Sequence, residues 1–278
     1  LSVRTVRKES DMKRITSARC INCIPEVVPK KRSNNKKLKL LITNKRIDWG
    51  FKQSILMIQS RLQQIMRRTG DKVLLITSTI PAEGKTMTSV NMALAFAQEG
   101  MKVALLDGDL RKPSVSELMK LPEGPGLTEY FRGESTPEEI QVVKDGVTFF
   151  RAGQKKGKVS GLIDEEKMNS LLEKLRKEYD VILMDAAPSY VFSDAMILSS
   201  YADKVLYVVR VDKADAKEIR VGMNSFEEKE KLIGYVINRD TGGYISQSGY
   251  GYGRYGKYQK YRKYAELDEE TMNTEDTL

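Results

Sequence analysis

The chain has 278 residues, 47 Lys and Arg against 38 Asp and Glu, a formal charge of +9, and no His. Without His, Ser-His-Asp hydrolysis, His-metal sites, His phosphorelay and His acid–base catalysis are excluded, so any chemistry rests on carboxylates, Lys and Arg. A hydrophobic content of 40% permits a real core, and the length suits one α/β domain with appendages.

The charge is uneven. Residues 1–70 carry 18 basic and 4 acidic side chains, leaving 29 and 34 for residues 71–278, so the basic excess belongs to one end. No apolar run reaches the roughly 18–20 residues of a membrane span, and the chain begins at Leu1 rather than Met, the pattern expected of a soluble, cytosolic fragment or processed chain.

Residues 1–50 are basic and turn-rich, with Pro25, Pro29 and the run from Lys30 to Lys37, a composition that predicts a linker or loosely attached arm. Within it, Cys20-Ile21-Asn22-Cys23 is a CxxC. With no second pair and no His, one chain lacks the ligands for a tetrahedral zinc, and no βαβ pattern surrounds the motif as in a redox fold. Ordinary thiols are the expectation. Phe51, Ile55, Ile58, Leu62 and Ile65 then recur at helical spacing and predict an apolar stripe that docks on a core or a partner.

From Lys72 onward, short apolar runs alternate with helix-like stretches. Val73–Ile76, Val103–Leu106, Val181–Met184, Val205–Val209 and Tyr235–Ile237 read as buried strands, with helices around 86–99, 165–178, 193–201 and 215–230 between them. That alternation predicts an α/β, doubly wound, mostly parallel sheet over residues 51–240. Residues 241–278 form no core in this reading. Gly242 to Tyr264 is rich in Gly and Tyr, residues 265–278 carry six acids and no base, and a disordered tail is expected.

Thr77 to Thr86 follows the first of these strands and opens a helix. A loop in that place aims backbone N–H groups and a helix N-terminus at phosphate oxygens. Gly84 lets backbone approach closely, Lys85 reaches the β and γ oxygens, and the Thr86 hydroxyl holds Mg²⁺. Thr79 stands where the first Gly of GxxxxGK[ST] is expected. The candidate nucleotide contacts are Ala82, Glu83, Gly84, Lys85, Thr86 and Thr88. Asp107 and Asp109 end one strand and Asp185 another, and strand carboxyl ends meet at the ligand crevice of such a sheet. Three carboxylates beside a phosphate loop suit Mg²⁺, although a strand-end Asp by itself commonly just caps a turn.

Together, Ser78 to Thr86 with Pro81, Asp107-Gly108-Asp109-Leu110-Arg111, and Ile182 to Pro188 resemble the Walker A, A′ and B motifs of the bacterial tyrosine kinases (BY-kinases) of the Wzc and CapB type. Ser193-Asp194-Ala195, Val208-Val209-Arg210 and Gly234 to Asn238 fall in the family's order, and the resemblance spans about residues 45–264. It implies a P-loop NTPase fold, tyrosine autophosphorylation with ATP and Mg²⁺, and a link to capsular or exopolysaccharide synthesis and export. By motif position, Lys85 and Thr86 bind phosphate and metal, Asp109 and Asp185 serve the metal, Asp107 is the candidate base, and Asn238 lies near the adenine.

Seven tyrosines, Tyr244, Tyr250, Tyr252, Tyr255, Tyr258, Tyr261 and Tyr264, are interleaved with Arg254, Lys257, Lys260, Arg262 and Lys263. Four intervening glycines oppose a helix, and a flexible chain of this length spans roughly 25 Å, enough to reach a neighbouring active site. The family's C-terminal tyrosine cluster makes these the implied phosphoacceptors. Basic and aromatic interleaving also describes a single-strand nucleic-acid binder or a merely solvated tail, but with a phosphate-transfer site on the same chain nucleic acid is not the expected partner.

Three departures from the family pattern stand out. Its acidic and Arg oligomerisation pattern falls at Gln53 and Leu56, Ala186-Ala187-Pro188 replaces Thr-Pro-Pro, and Gly153 to Leu162 lacks an Asn-Pro stretch. The rivals are a MinD- or ParA-like switch ATPase, whose loop would carry an extra Lys near Ser78-Thr79-Ile80, and a nucleic-acid-binding adaptor. The implied partners are neighbouring subunits of a homo-oligomer, a transmembrane co-polymerase region or activator, and a cognate tyrosine phosphatase. Cys20 to Arg32, with Ile24-Pro25-Glu26 followed by Lys30-Lys31-Arg32, resembles the segment after the last membrane span of fused co-polymerase kinases, which implies that residues 1–50 are a juxtamembrane arm facing anionic lipid at the cytoplasmic face of the membrane.

Overall fold

The computed structural model describes residues 5–27, 39–154 and 161–240. The basic run from Lys30 to Lys37, all seven tail tyrosines and the acidic terminus lie outside them. Eight strands, β1 (Cys20–Pro25), β2 (Val73–Ser78), β3 (Val103–Asp107), β4 (Gln141–Lys144), β5 (Val147–Phe150), β6 (Val181–Asp185), β7 (Lys204–Arg210) and β8 (Leu232–Asp240), form one sheet in the order β1-β8-β7-β2-β6-β3-β5-β4. The β4–β5 pair is antiparallel and the other pairings are parallel.

Every residue of β2, β3 and β6 is buried, which a strand achieves when helices cover both faces of its sheet. Because side chains alternate, β2 divides itself between two cores: Val73 and Leu75 enter one, Leu74 and Ile76 the other. The first core is completed by α6 (Glu165–Glu178), α7 (Asp194–Tyr201) and α8 (Ala216–Glu227), through Leu171, Leu198 and Phe226. The second is completed by α2 (Trp49–Thr69) and α3 (Lys85–Gln98), through Phe51, Ile58 and Val90. The shorter helices α1 (Glu9–Met12) and α5 (Leu127–Arg132) contribute to the first core, and α4 (Val115–Met119) contributes to the second. The predicted doubly wound sheet is therefore what the chain forms.

The periodicity of α2 is realised with one shift. Phe51, Ile55, Ile58 and Leu62 are buried as expected, but Met66 rather than Ile65 ends the buried stripe. Its ends are chemically marked. Asp48 accepts the Gly50 N–H at 2.8 Å, and Gly70 closes the helix in the left-handed region at φ 74°.

The expectation of a loosely attached arm over residues 1–50 does not hold for its described part. β1 pairs with β8 in parallel, Met12, Ile21, Ile24, Leu41 and Ile42 are buried, and the Asn91 side chain bonds both Ile42 N and Leu40 O. The averaged composition hid this because the lysines cluster in one run, while apolar residues on either side of it fill the sheet edge and the groove beside α2. The packed unit thus begins well before residue 51. The hairpin of β4 and β5 was also missed. Asp145 and Gly146 take φ 49° and 77° between two β-rich runs, and that Asp-Gly pair was the available signal.

Candidate functional site

The loop between β2 and α3 takes positive φ at two residues, Ala82 at φ 67° and Gly84 at φ 98°. A Cβ at residue 84 would collide with the Asn238 side-chain amide, so Gly is required there for space as well as for φ. Thr79, in the place of the usual glycine, is buried and its hydroxyl accepts a hydrogen bond from Tyr207 at 3.2 Å. The Glu83 side chain turns inward and is fully buried, accepting Thr79 N at 2.6 Å, Ile80 N at 2.8 Å and Arg210 N at 3.2 Å. Burial pushes its carboxyl up to about 7, against the three amides that favour its charged form. Only its backbone amide is left as a phosphate ligand.

At the start of α3, Lys85 Nζ lies 2.6 Å from Asp109 Oδ2 and 3.6 Å from Asp185 Oδ2. Thr86 Oγ1 donates to Asp185 Oδ2 at 2.6 Å, and Ser89 donates to its other oxygen at 2.9 Å. Burial works against the Lys85 charge, but Asp185 and Asp109 more than reverse it and hold the ammonium above its ordinary range. Lys85, Thr86, Asp109 and Asp185 are thus brought together as expected, by a strand end and a helix start on one side and two neighbouring strand ends on the other.

Asp107 is placed differently. It is fully buried, takes one amide, Val115 N at 3.2 Å, and its other oxygen is without a partner among the described residues. Burial, with the adjacent Asp185 charge, pushes its carboxyl well above the usual range. Asp185 is raised as well, chiefly by burial. The carboxylate that lines the open cleft is Asp109, whereas Asp107 stands behind it.

That cleft has a volume of about 680 Å³ and is bounded by Ala82, Gly84, Lys85 and Thr86 on one side and by Arg111 and Phe192 on the other. Arg111 stacks 4.5 Å above the Phe192 ring and is paired to Asp194 at 3.0 Å. The sequence reading assigned these three no role, although Arg111 and Asp194 fall within its quoted motifs. Thr88 is fully buried and its hydroxyl, without a partner among the described residues, is closed off from the cleft. Asn238 is buried against the loop, donating from Nδ2 to Glu83 O at 2.7 Å.

No group of three or more His, Cys, Asp or Glu side chains among the described residues is arranged to hold a metal by itself. The donors present, the Thr86 hydroxyl with Asp109 and Asp185, match a Mg²⁺ ion, which binds through one or two carboxylates and completes its shell with water and substrate phosphates. The unpartnered Asp107 oxygen behind them adds a further hard acceptor. Cys20 and Cys23 are free thiols, Cys23 buried and its pKa raised by its hydrogen bond with Cys20 and by burial.

A buried parallel strand, a loop with left-handed turns, Lys85 and Thr86 opening a helix, and acids arriving from the next two strands define a P-loop NTPase site. A family model described as ParA, NUBPL iron-transfer P-loop NTPase, matches residues 70–216. The chain is 34% identical over 184 residues to the tyrosine-protein kinase CpsD of Streptococcus pneumoniae, covering 62% of this chain and 78% of that one. It is 27% identical over 198 residues to the tyrosine-protein kinase ptk of Acinetobacter johnsonii, covering 69% of this chain but 27% of that protein's length. The solved kinase domain of the Escherichia coli tyrosine kinase ETK superposes with a TM-score of 0.75 at 25% identity, over 84% of this chain and 94% of that domain. The chain belongs to the bacterial tyrosine-kinase family of P-loop NTPases.

Proposed function

We propose that this chain is an ATP-dependent protein-tyrosine autokinase that phosphorylates its own tyrosine cluster, Tyr244 to Tyr264, and so regulates synthesis and export of a capsular or exopolysaccharide. The observation that carries the reading is the contact set of Lys85, Thr86, Asp109 and Asp185 at the mouth of the phosphate loop. Phosphoryl transfer asks mainly for positioning and charge neutralisation, and this set provides both without His. Thr86, Asp109 and Asp185 would hold Mg²⁺, which when bound would supply charge neutralisation. Lys85 binds the β and γ oxygens, and the loop amides from residue 83 onward orient the chain of phosphates. Asp107 is the base implied by the family. Its raised affinity for a proton suits that task, although it is fully buried and Asp109 rather than Asp107 lines the cleft.

In this reading the partners are ATP, neighbouring subunits of a homo-oligomer, a transmembrane co-polymerase region or activator, and a tyrosine phosphatase, at the cytoplasmic face of the membrane. Among the described residues no helix is long and apolar enough to cross a membrane. The match to the ParA model supports one other reading, a switch ATPase that hydrolyses ATP without modifying tyrosine. Incubation with Mg-ATP separates the two: a kinase accumulates phosphotyrosine and Lys85→Met does not, whereas a switch releases phosphate and leaves the tyrosines unmodified.

A further inference from the structure

The phosphate loop is gripped from behind by the ends of β7 and β8. Arg210 Nη1 donates to the Ala82 carbonyl at 3.0 Å, and Asn238 Nδ2 donates to the Glu83 carbonyl at 2.7 Å. The Asn238 orientation is fixed independently, because its Oδ1 accepts Arg239 N at 2.9 Å. The described residues contain no cis peptide bond, so each amide N–H points opposite to the carbonyl of its own peptide unit. Anchoring Ala82 O therefore directs the Glu83 N–H away from Arg210, and anchoring Glu83 O directs the Gly84 N–H away from Asn238. With left-handed φ at 82 and 84, the two amides face away from the strand ends that hold the loop, a disposition suited to an anion.

Glu83 divides the remaining donors. Its carboxylate occupies the Thr79 and Ile80 amides, which are thereby withdrawn from any ligand, and also takes the Arg210 amide. Arg210 thus holds the loop at two points, once through its side chain and once through its backbone. The collision that a Cβ at residue 84 would make with Asn238 shows how closely this clamp approaches the loop.

We propose that Arg210 and Asn238, together with Glu83, are positioning residues that aim the Glu83 and Gly84 amides at the polyphosphate of the nucleotide. This rests on the nucleotide-binding reading of the site and adds a loop-anchoring role to the adenine position that family resemblance gives Asn238. Equilibrium binding of ATP and of inorganic tripolyphosphate, each with Mg²⁺, tests it on the full chain, on Asn238→Ala and on Arg210→Met.

Both variants are expected to lose roughly tenfold in affinity for the two ligands alike, as loss of one hydrogen bond to a loop carbonyl implies. Arg210→Lys, which keeps a donor for Ala82 O, is expected to recover most of that loss. Arg210 is partly exposed, so its variants report even where Asn238→Ala perturbs the fold, and the unliganded melting temperature identifies that case. Loss of ATP affinity with tripolyphosphate affinity unchanged, or no loss in either, overturns the proposal. Binding of neither ligand by the unaltered chain overturns it together with the nucleotide reading, whereas failure to modify tyrosine would count against the kinase reading alone.

Discussion

Asp107 and Asp185 stand opposite each other as register partners at the carboxyl ends of β3 and β6, both fully buried. Two carboxylates so placed cannot both ionise cheaply: burial raises both above the usual range, with the Asp185 charge adding to the rise at Asp107 and the Asp109 charge to the rise at Asp185. The fold tolerates this because Lys85 sits across the pair's open side, 3.6 Å from Asp185.

Asp107→Asn is expected to abolish phosphoryl transfer and yet stabilise the folded chain at neutral pH, by on the order of 1–2 kcal/mol. The sign follows from the raised folded pKa. The carboxyl favours folding below its unfolded value and loses that contribution as pH rises through its folded value, so the variant's advantage should grow from pH 5 to pH 8. Thermal or denaturant unfolding at the two pH values checks it. A variant destabilised at both would show that Asp107 is held as a well-compensated anion.

Glu83 gives a second pH signature. Its carboxyl moves from an ordinary value of 4.5 when unfolded to about 7 when folded, so stability from this group is full below pH 4.5 and lost as pH rises through 7. The shift corresponds to about 3 kcal/mol across that window, at 1.36 kcal/mol per unit. Glu83→Gln is expected to flatten the dependence of unfolding free energy on pH between 5 and 7. An unchanged slope would mean that the three amide contacts keep the carboxylate ionised throughout.

The edge strand and the basic run separate into different jobs. Ile24→Ala should cost about 2–4 kcal/mol, since Ile24 is completely buried on the strand that covers β8. Replacing Lys30, Lys31, Arg32, Lys36 and Lys37 with Ser should leave unfolding unchanged but remove most binding to anionic vesicles at low salt, at about 1 kcal/mol per charge. Vesicle binding that survives the replacement would remove the juxtamembrane reading of this segment.

Much of the fold was legible because its central strands are buried on both faces and read as uninterrupted apolar runs. Val73 to Ile76 and Val181 to Met184 needed no tertiary information. Cys20 to Pro25 did, because its apolar residues are few and a neighbouring lysine run dominates any averaged window. The site was legible where backbone and side chain act at one motif position, as at Lys85, Thr86, Asp109 and Asp185. It was not legible where a side chain turns back into the protein. Nothing in the sequence says that Glu83 faces away from the cleft, that Thr88 is sealed beneath it, or that Arg210 and Asn238 reach across from other strands.

The central claim is transfer of phosphate from ATP to the tyrosines of residues 244–264. Peptide mass spectrometry of the chain after incubation with Mg-ATP tests it most directly. Phosphate should appear on that segment, and fall by at least about 100-fold in Lys85→Met, the cost of removing one preorganised charge contact to the transferring group. ATP consumption with every tyrosine of the segment unmodified would contradict the claim.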